Sequence, residues 1–210
     1  MNQTVKKIFD QHRPLCLASS SPRRKDMLQN FGLEFFSISP DIDESRQDSE
    51  TAESFVKRVA LDKARKIFQD HESLPGKTLI LSGDTIVVLE GHILGKPEDQ
   101  LEAGKMIDRL SGKTHQVSTA FVVLDTSNGE ELVQQVSTKV TFRNLDAGMI
   151  KWYQDLGEGL DKAGAYSIQG HGSMLVSRIE GSYPNVVGFP IEQVLEILLK
   201  KGWISLYTSG

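Results

Sequence analysis

Cys16 is the only cysteine among the 210 residues. One thiol excludes an intrachain disulfide and a thiolate metal cluster within one chain. It sits in Leu15-Cys16-Leu17-Ala18, where a small buried hydrophobe is a plainer reading than a nucleophile. The histidines, His12, His71, His92, His115 and His171, share no metal-ligand spacing. No apolar run approaches the roughly 18 residues that a membrane span needs, so no membrane partner is expected. Nor is there an excess of positive charge. A formal net charge of −4 argues against general nucleic-acid binding, while leaving room for a small basic pocket that takes a phosphorylated metabolite. Residues 1–14 are polar and amphipathic without the apolar core of a signal peptide, so a cytoplasmic protein is expected and the sequon Asn2-Gln3-Thr4 carries no weight.

Familiar phosphate motifs are missing too. Gly76-Lys77-Thr78 and Gly112-Lys113-Thr114 resemble the end of a P-loop, but the glycine required five residues earlier is replaced by His71 and Ile107. No Gly-x-Gly-x-x-Gly follows a strand.

What is present alternates between strand and helix with no linker or repeat. Strands are predicted over 14–18 and 34–39, with a helix between them that Ser21-Pro22 opens and Gly32 closes. After an acidic loop at 41–50, apolar residues at helical spacing from Phe55 to Phe68 mark the longest amphipathic helix, over 51–70. A short apolar strand follows at 78–81, then a hairpin at Glu90-Gly91-His92, and a helix from Pro97 to Leu110. Runs at 116–124 and 132–142 flank the hairpin signal Asn128-Gly129. Asp146 caps a helix to Leu156, a glycine-rich segment covers 157–172, and Pro190 opens a last helix to Lys201. Such a pattern predicts an α/β protein with a mixed sheet. An N-terminal extension at 1–13, one domain over 14–202 and a tail at 203–210 are expected, with Thr208-Ser209-Gly210 disordered.

Three stretches carry chemistry. Asp84 follows the apolar strand, and Lys96 stands in the rigid corner Gly95-Lys96-Pro97, so that an acid and a base face one cleft suited to an anionic substrate. A capping aspartate and a solvated lysine satisfy the same pattern. Ala18-Ser19-Ser20-Ser21-Pro22-Arg23-Arg24 places small residues and two arginines at a helix start. An anion bound there resolves the conflict between those arginines and the positive end of the helix dipole. An exposed helix start with two surface arginines is the alternative. In the glycine-rich segment, Gln169 beside Gly170 offers one donor and one acceptor to the edge of a nucleobase, or else belongs to a structural bulge. A hard cation held by carboxylates stays open, with Asp41, Asp43, Glu44 and Asp84 as candidate ligands.

Seven motifs then stand in one order: Ala18-Ser19-Ser20-Ser21-Pro22-Arg23-Arg24, Lys63-Ala64, Gly83-Asp84-Thr85, Gly95-Lys96-Pro97, Leu110-Ser111-Gly112 with His115, Val117 and Thr119, Lys162-Ala163-Gly164-Ala165-Tyr166 with Ile168-Gln169-Gly170, and Gly181-Ser182-Tyr183 with Asn185-Val186-Val187-Gly188 and Pro190. With them the chain resembles the Maf proteins, nucleoside triphosphate pyrophosphatases of inosine-triphosphatase-like (Maf/Ham1) α/β fold. That fold implies a mixed twisted sheet, flanking helices and a cleft between two lobes. The resemblance covers about residues 14–200. Thr85 with the Tyr-x-Ile-Gln-Gly segment is similar to the branch acting on dTTP and UTP, and on modified pyrimidine triphosphates. The 7-methyl-GTP branch carries Gln in place of Thr85. Ser20 and Phe189 depart from the usual Gly and Leu at tolerant places.

The resemblance implies roles residue by residue. Asp84 accepts the proton of the attacking water. Arg24, Lys63 and Lys96 neutralise triphosphate oxygens. Glu44 and Asp84 hold a divalent cation, Mg²⁺ or Mn²⁺, and Arg23, Thr85 and Gln169 set base preference. A homodimer is implied as an assembly. A non-catalytic nucleotide-binding regulator of septum formation is the competing function, although it needs neither Asp84 nor the two lysines.

Overall fold

Among the described residues, nine strands and six helices organise the chain. A computed structural model describes residues 7–70 and 74–208. The first six residues of the N-terminal extension, His71, and Ser209 and Gly210 of the tail lie outside the described residues. In order the elements are β1 (Phe9–Gln11), β2 (Leu15–Ala18), α1 (Pro22–Asn30), β3 (Phe35–Ile38), α2 (Ala52–Asp70), β4 (Leu79–Leu89), β5 (His92–Leu94) and α3 (Gln100–Leu110). Then come β6 (Thr114–Asp125), β7 (Glu130–Phe142), α4 (Ala147–Leu156), short 3₁₀ turns at Ala163–Ala165 and Gly170–Leu175, β8 (Val176–Glu180), α5 (Tyr183–Val187), α6 (Ile191–Lys200) and β9 (Ile204–Leu206).

The main sheet runs β3-β2-β4-β6-β7-β8, with β5 on β4. β2 is parallel to both β3 and β4, whereas β4, β6, β7 and β8 are successively antiparallel, so the sheet is mixed. The long strands β4, β6 and β7 extend through two lobes. In the first, α2 packs Val56, Ala60, Ala64 and Ile67 against Ile80, Ala120 and Val122. On the opposite face Leu28 of α1 and Val194 and Leu198 of α6 meet Leu17, Leu79, Leu81 and Phe121. The second lobe gathers Ile107 of α3 and Tyr153 of α4 with Val87, Leu94, Val140, Phe142 and Tyr166.

Several boundaries differ from the sequence reading for local reasons. α3 starts at Gln100, because Asp99, not Pro97, caps it by accepting from the Glu102 amide at 2.7 Å. The hairpin at Asn128-Gly129 forms as expected, with Gly129 at φ 74°. The glycine-rich segment contains two 3₁₀ turns, and β8 and α5 follow it where no element is predicted. β1 and β9, in the segments that the sequence reading sets outside the domain, pair with each other, and Phe9 joins the first lobe's core.

The largest difference concerns β4. Asp84 does not lie beyond a strand that stops at Leu81. It stands in the middle of an 11-residue strand. Gly83-Asp84-Thr85 reads as a turn by propensity, but registry with Phe121, Ala120 and Thr119 holds it extended. Gly83 fits closely there: a Cβ would stand 3.2 Å from the Ala120 carbonyl and 3.3 Å from the Phe189 ring, tighter than ordinary contact.

Candidate active site

One edge of β4 is paired with β6 from Leu79 to Val88. The other edge is paired with β2 only as far as Ser82, and with β5 only from Val87 onward. Residues 83–86 therefore have no strand partner on that side. A cleft of about 580 Å³ opens at this gap, within the range of small-molecule sites. Because consecutive strand residues project to opposite faces, Asp84 and Thr85 reach the cleft from the two faces of one strand.

Asp84 faces α2. The Ser82 hydroxyl donates to the Ala60 carbonyl at 2.6 Å and so fixes the height of α2 on the strand. One turn further along the helix, the ammonium of Lys63 lies 2.9 Å from Asp84 Oδ1 and 3.0 Å from Glu44 Oε1. Lys63 is only 7% exposed, and an ammonium so buried is tolerated because it is paired. The Asp84 contact is a hydrogen bond and the Glu44 contact an ion pair, so at least one of the three N–H donors is left for a ligand.

α1 presents its first turn to the same gap. Its N-cap, Ser21, makes no side-chain cap bond, and the first turn holds no acidic residue. Arg24 is buried and held on three sides. Its Nε donates to the Gly188 carbonyl at 2.9 Å, Nη1 to Ser19 Oγ at 3.2 Å and Nη2 to Thr85 Oγ1 at 3.3 Å. Burial lowers the guanidinium pKa from its ordinary value, and the charge of Asp84 opposes that shift. Of five guanidinium hydrogens, two stay available. Arg23 sits at the rim, 3.8 Å from Asp161.

The face of Thr85 is apolar and hydroxylic. Val87, Val117, Tyr166, Ile168 and Val187 line the cleft around it. Thr85 Oγ1 lies 2.9 Å from Thr119 Oγ1. The second lobe closes over this end because the Gly164 amide donates to the Gly95 carbonyl at 3.0 Å, tying the glycine-rich segment to the Gly95-Lys96-Pro97 corner. Gly164 is at φ 71°, and a Cβ there would come within 3.0 Å of Val87 Cγ1. Tyr166 hydrogen-bonds His115 Nε2 at 2.8 Å, and burial pushes the imidazole pKa down to about 4.

Arg23, Arg24, Glu44, Lys63, Asp84, Thr85, Lys96 and Gln169, scattered over 147 positions, all line this cleft. Asp41 and Asp43, named as candidate cation ligands, do not. Asp43 instead accepts from the amide of Ser45 at 2.8 Å, in a local turn. Among the described residues no group of three or more His, Cys, Asp or Glu is assembled for a metal. Five cations, Arg23, Arg24, Lys63, Lys96 and Lys162, face three carboxylates, Glu44, Asp84 and Asp161, in a chain of net negative charge. The lining of the cleft is thus net positive and suits an anion.

Over residues 14–201 the chain matches the family described as Maf-like protein. It belongs to that family. The dTTP/UTP pyrophosphatase of Symbiobacterium thermophilum is 42% identical over 196 residues, covering 93% of this chain and 97% of that protein. The dTTP/UTP pyrophosphatase of Myxococcus xanthus is 46% identical over 188 residues, covering 90% of this chain and 92% of that protein. The solved Staphylococcus aureus Ham1 protein is 14% identical, covers 90% of this chain and 100% of its own, and gives a TM-score of 0.46.

Within this Maf-like frame, the sequence reading gave no role to Thr119, Asn185, Gly188 or the His115–Tyr166 pair. Asn185 is fully buried, and its backbone carbonyl accepts from Thr119 Oγ1 at 3.1 Å. The signal available beforehand was their place in the ordered motifs. What they touch is a long-range matter, since 66 positions separate Thr119 from Asn185.

Proposed function

We propose that the cleft hydrolyses dTTP and UTP, with modified pyrimidine triphosphates, to the nucleoside monophosphate and pyrophosphate. The observation that carries this reading is the unpaired stretch of β4, which offers a charged face at Asp84 and an apolar, hydroxyl-bearing face at Thr85 to one cavity. A triphosphate suits the first and a flat base suits the second. The names of relatives similar over nine-tenths of the chain support the same substrates.

In this reading a water attacks the α-phosphorus. The new O–P bond forms as the bond from the α-phosphorus to the bridging oxygen breaks, and pyrophosphate leaves. Asp84 takes the water proton on a carboxylate oxygen. The remaining donor of Lys63, the two unspent hydrogens of Arg24 and the ammonium of Lys96 meet the triphosphate oxygens, where charge develops on the leaving group. Arg23 and Gln169, which also line the cleft, meet the base in this reading.

The donor set also fits a hard divalent cation. Glu44 and Asp84 lie near each other, each about 3 Å from the Lys63 ammonium, and both supply carboxylate oxygens, which supports this reading. Mg²⁺ or Mn²⁺ held by these two residues, with further ligands from the substrate phosphates, would supply charge neutralisation at the leaving group.

The test is pyrophosphate release across a nucleotide panel with Mg²⁺. UTP and dTTP are expected to lead, with CTP and the purine triphosphates well behind. A panel led by 7-methyl-GTP would move the chain to the other branch, and tight nucleotide binding without turnover would favour the regulator of septum formation.

A further inference from the structure

Resting on the pyrimidine reading above, we infer that Thr119 and Asn185 are positioning residues that turn Thr85 into a hydrogen-bond acceptor toward the base. β4 and β6 set Thr85 directly opposite Thr119, with their hydroxyl oxygens 2.9 Å apart. A hydroxyl has one hydrogen to give. Thr119 has the Asn185 carbonyl at 3.1 Å as its acceptor, and a Thr119 that donates there must receive the hydrogen of Thr85. The reverse direction is the poorer one, because Thr85 would then donate to the Gly188 carbonyl at 3.3 Å, which already accepts from Arg24 Nε at 2.9 Å, and Thr119 would give up the Asn185 carbonyl. The favoured direction spends the Thr85 hydrogen on Thr119. Arg24 Nη2, a donor at 3.3 Å, further opposes a Thr85 hydrogen on its side. Toward the cleft, Thr85 therefore has only a lone pair to offer.

Asn185 keeps the end of this relay in place. Its Nδ2 donates to the Val117 carbonyl at 2.9 Å and to Thr138 Oγ1 at 2.9 Å, and Thr138 in turn donates to the Ser182 carbonyl at 3.1 Å. These bonds clamp α5 onto β6 and β7, so the Asn185 carbonyl cannot drift from Thr119. A lone pair at Thr85, set among Val87, Val117 and Val187, calls for a base that brings a donor. Uracil and thymine carry N3–H. Cytosine has a lone pair at the same atom, and two lone pairs that face each other are left unsatisfied. Discrimination is thus written in the direction of a hydroxyl hydrogen that a residue buried behind the site controls.

Thr119→Val removes the hydroxyl while keeping size and branching. The Asn185 carbonyl is not orphaned by it, because the Gly188 amide also donates there at 3.0 Å. Freed from Thr119, the Thr85 hydrogen can turn to the cleft and meet cytosine N3. The expected result is a fall of roughly tenfold in the UTP-to-CTP ratio of kcat/KM, chiefly through a lower KM for CTP, with kcat for UTP little changed. Thr119→Ser should restore the ratio. In the unmodified enzyme, a uridine triphosphate analogue with C–H in place of N3–H should be discriminated against as CTP is. That measurement needs no variant to fold. An unchanged ratio in Thr119→Val, an equal loss for both bases, failure of the serine variant to rescue, or full activity on the analogue would overturn the relay while leaving the pyrimidine reading intact. Wild-type enzyme that does not prefer UTP to CTP would overturn both.

Discussion

Asp84 and Thr85 are neighbours in the chain, yet the regions they face are held together by opposite physics. Around Asp84 the contacts are between full charges: one lysine shared by two carboxylates, with Glu44 supplied from a half-exposed loop. Around Thr85 they are neutral hydroxyl, amide and carbonyl contacts on a strand-and-helix frame in which Thr119 and Asn185 are fully buried. Charge contacts act over distance and survive small displacements, so the first region tolerates a loop as a partner. Neutral hydrogen bonds are directional and are expensive to leave unmade when buried, so the second region needs rigid elements on every side. The difference teaches why the triphosphate end can be assembled from pieces that include an exposed loop, whereas the base end must be fixed by the sheet.

The comparison breaks first at the charged end. Removing divalent cations with a chelator should abolish turnover, and Mg²⁺ or Mn²⁺ should restore it, as measured by pyrophosphate release. Full activity in the chelator would mean that Lys63, Arg24 and Lys96 neutralise the leaving group alone. Next in size is Asp84→Asn. Nucleotide binding should persist while kcat drops by a factor of about 100 or more, as for loss of a positioned base. Near-normal turnover in that variant would remove Asp84 from the chemistry and leave it as a partner of Lys63.

The neutral end can be probed through stability. Burial holds the His115 imidazole at about 4, below its ordinary value of 6.5, so the unfolded chain binds the extra proton across the interval between them. The neutral buried imidazole costs nothing above pH 6.5. As pH falls from 6.5 towards 4, the folded state loses about 3 kcal/mol on this account. Denaturant midpoints compared at pH 7 and pH 4.5 should show that part of the acid loss vanish in His115→Asn. An identical pH dependence in the two proteins would mean that water reaches this end of the cleft. Smallest is Gln169→Ala at the exposed rim. It should weaken the preference for UTP over CTP by several-fold, with a lesser effect on UTP turnover, in keeping with one lost hydrogen bond. A larger loss of UTP turnover than of discrimination would place Gln169 with the triphosphate instead.

Much of this was legible from residues alone, and unevenly. Helix α2 is read from Val56, Val59, Ala60, Ala64 and Ile67, because burying an apolar stripe is a local, periodic requirement. The residues of the charged end are legible for a different reason: Asp84, Lys96 and the arginines of α1 are chemically out of place unless an anion meets them. The sequence reading ends β4 at Leu81, because Gly83-Asp84-Thr85 has the composition of a turn and its extended state comes from β6, 34 or more positions away. Thr119 and Asn185 carried no chemical oddity of their own. A buried threonine in a strand and an asparagine in a short helix are ordinary until one sees what they touch.

By itself, then, the sequence determined the alternation of elements, the anion-seeking helix start and the set of charged groups with no structural use, since each of these is written in composition and short-range spacing. The tertiary structure decided which side of β4 stays unpaired, that Asp84 and Thr85 open onto one cavity from opposite faces, and that Lys63 is shared by Asp84 and Glu44. It alone brought Thr85 against Thr119 and Thr119 against Asn185. The physical reason is that a hydrogen bond has a geometry and a single hydrogen to give, and both are fixed only when residues far apart in the chain are brought within 3 Å of one another.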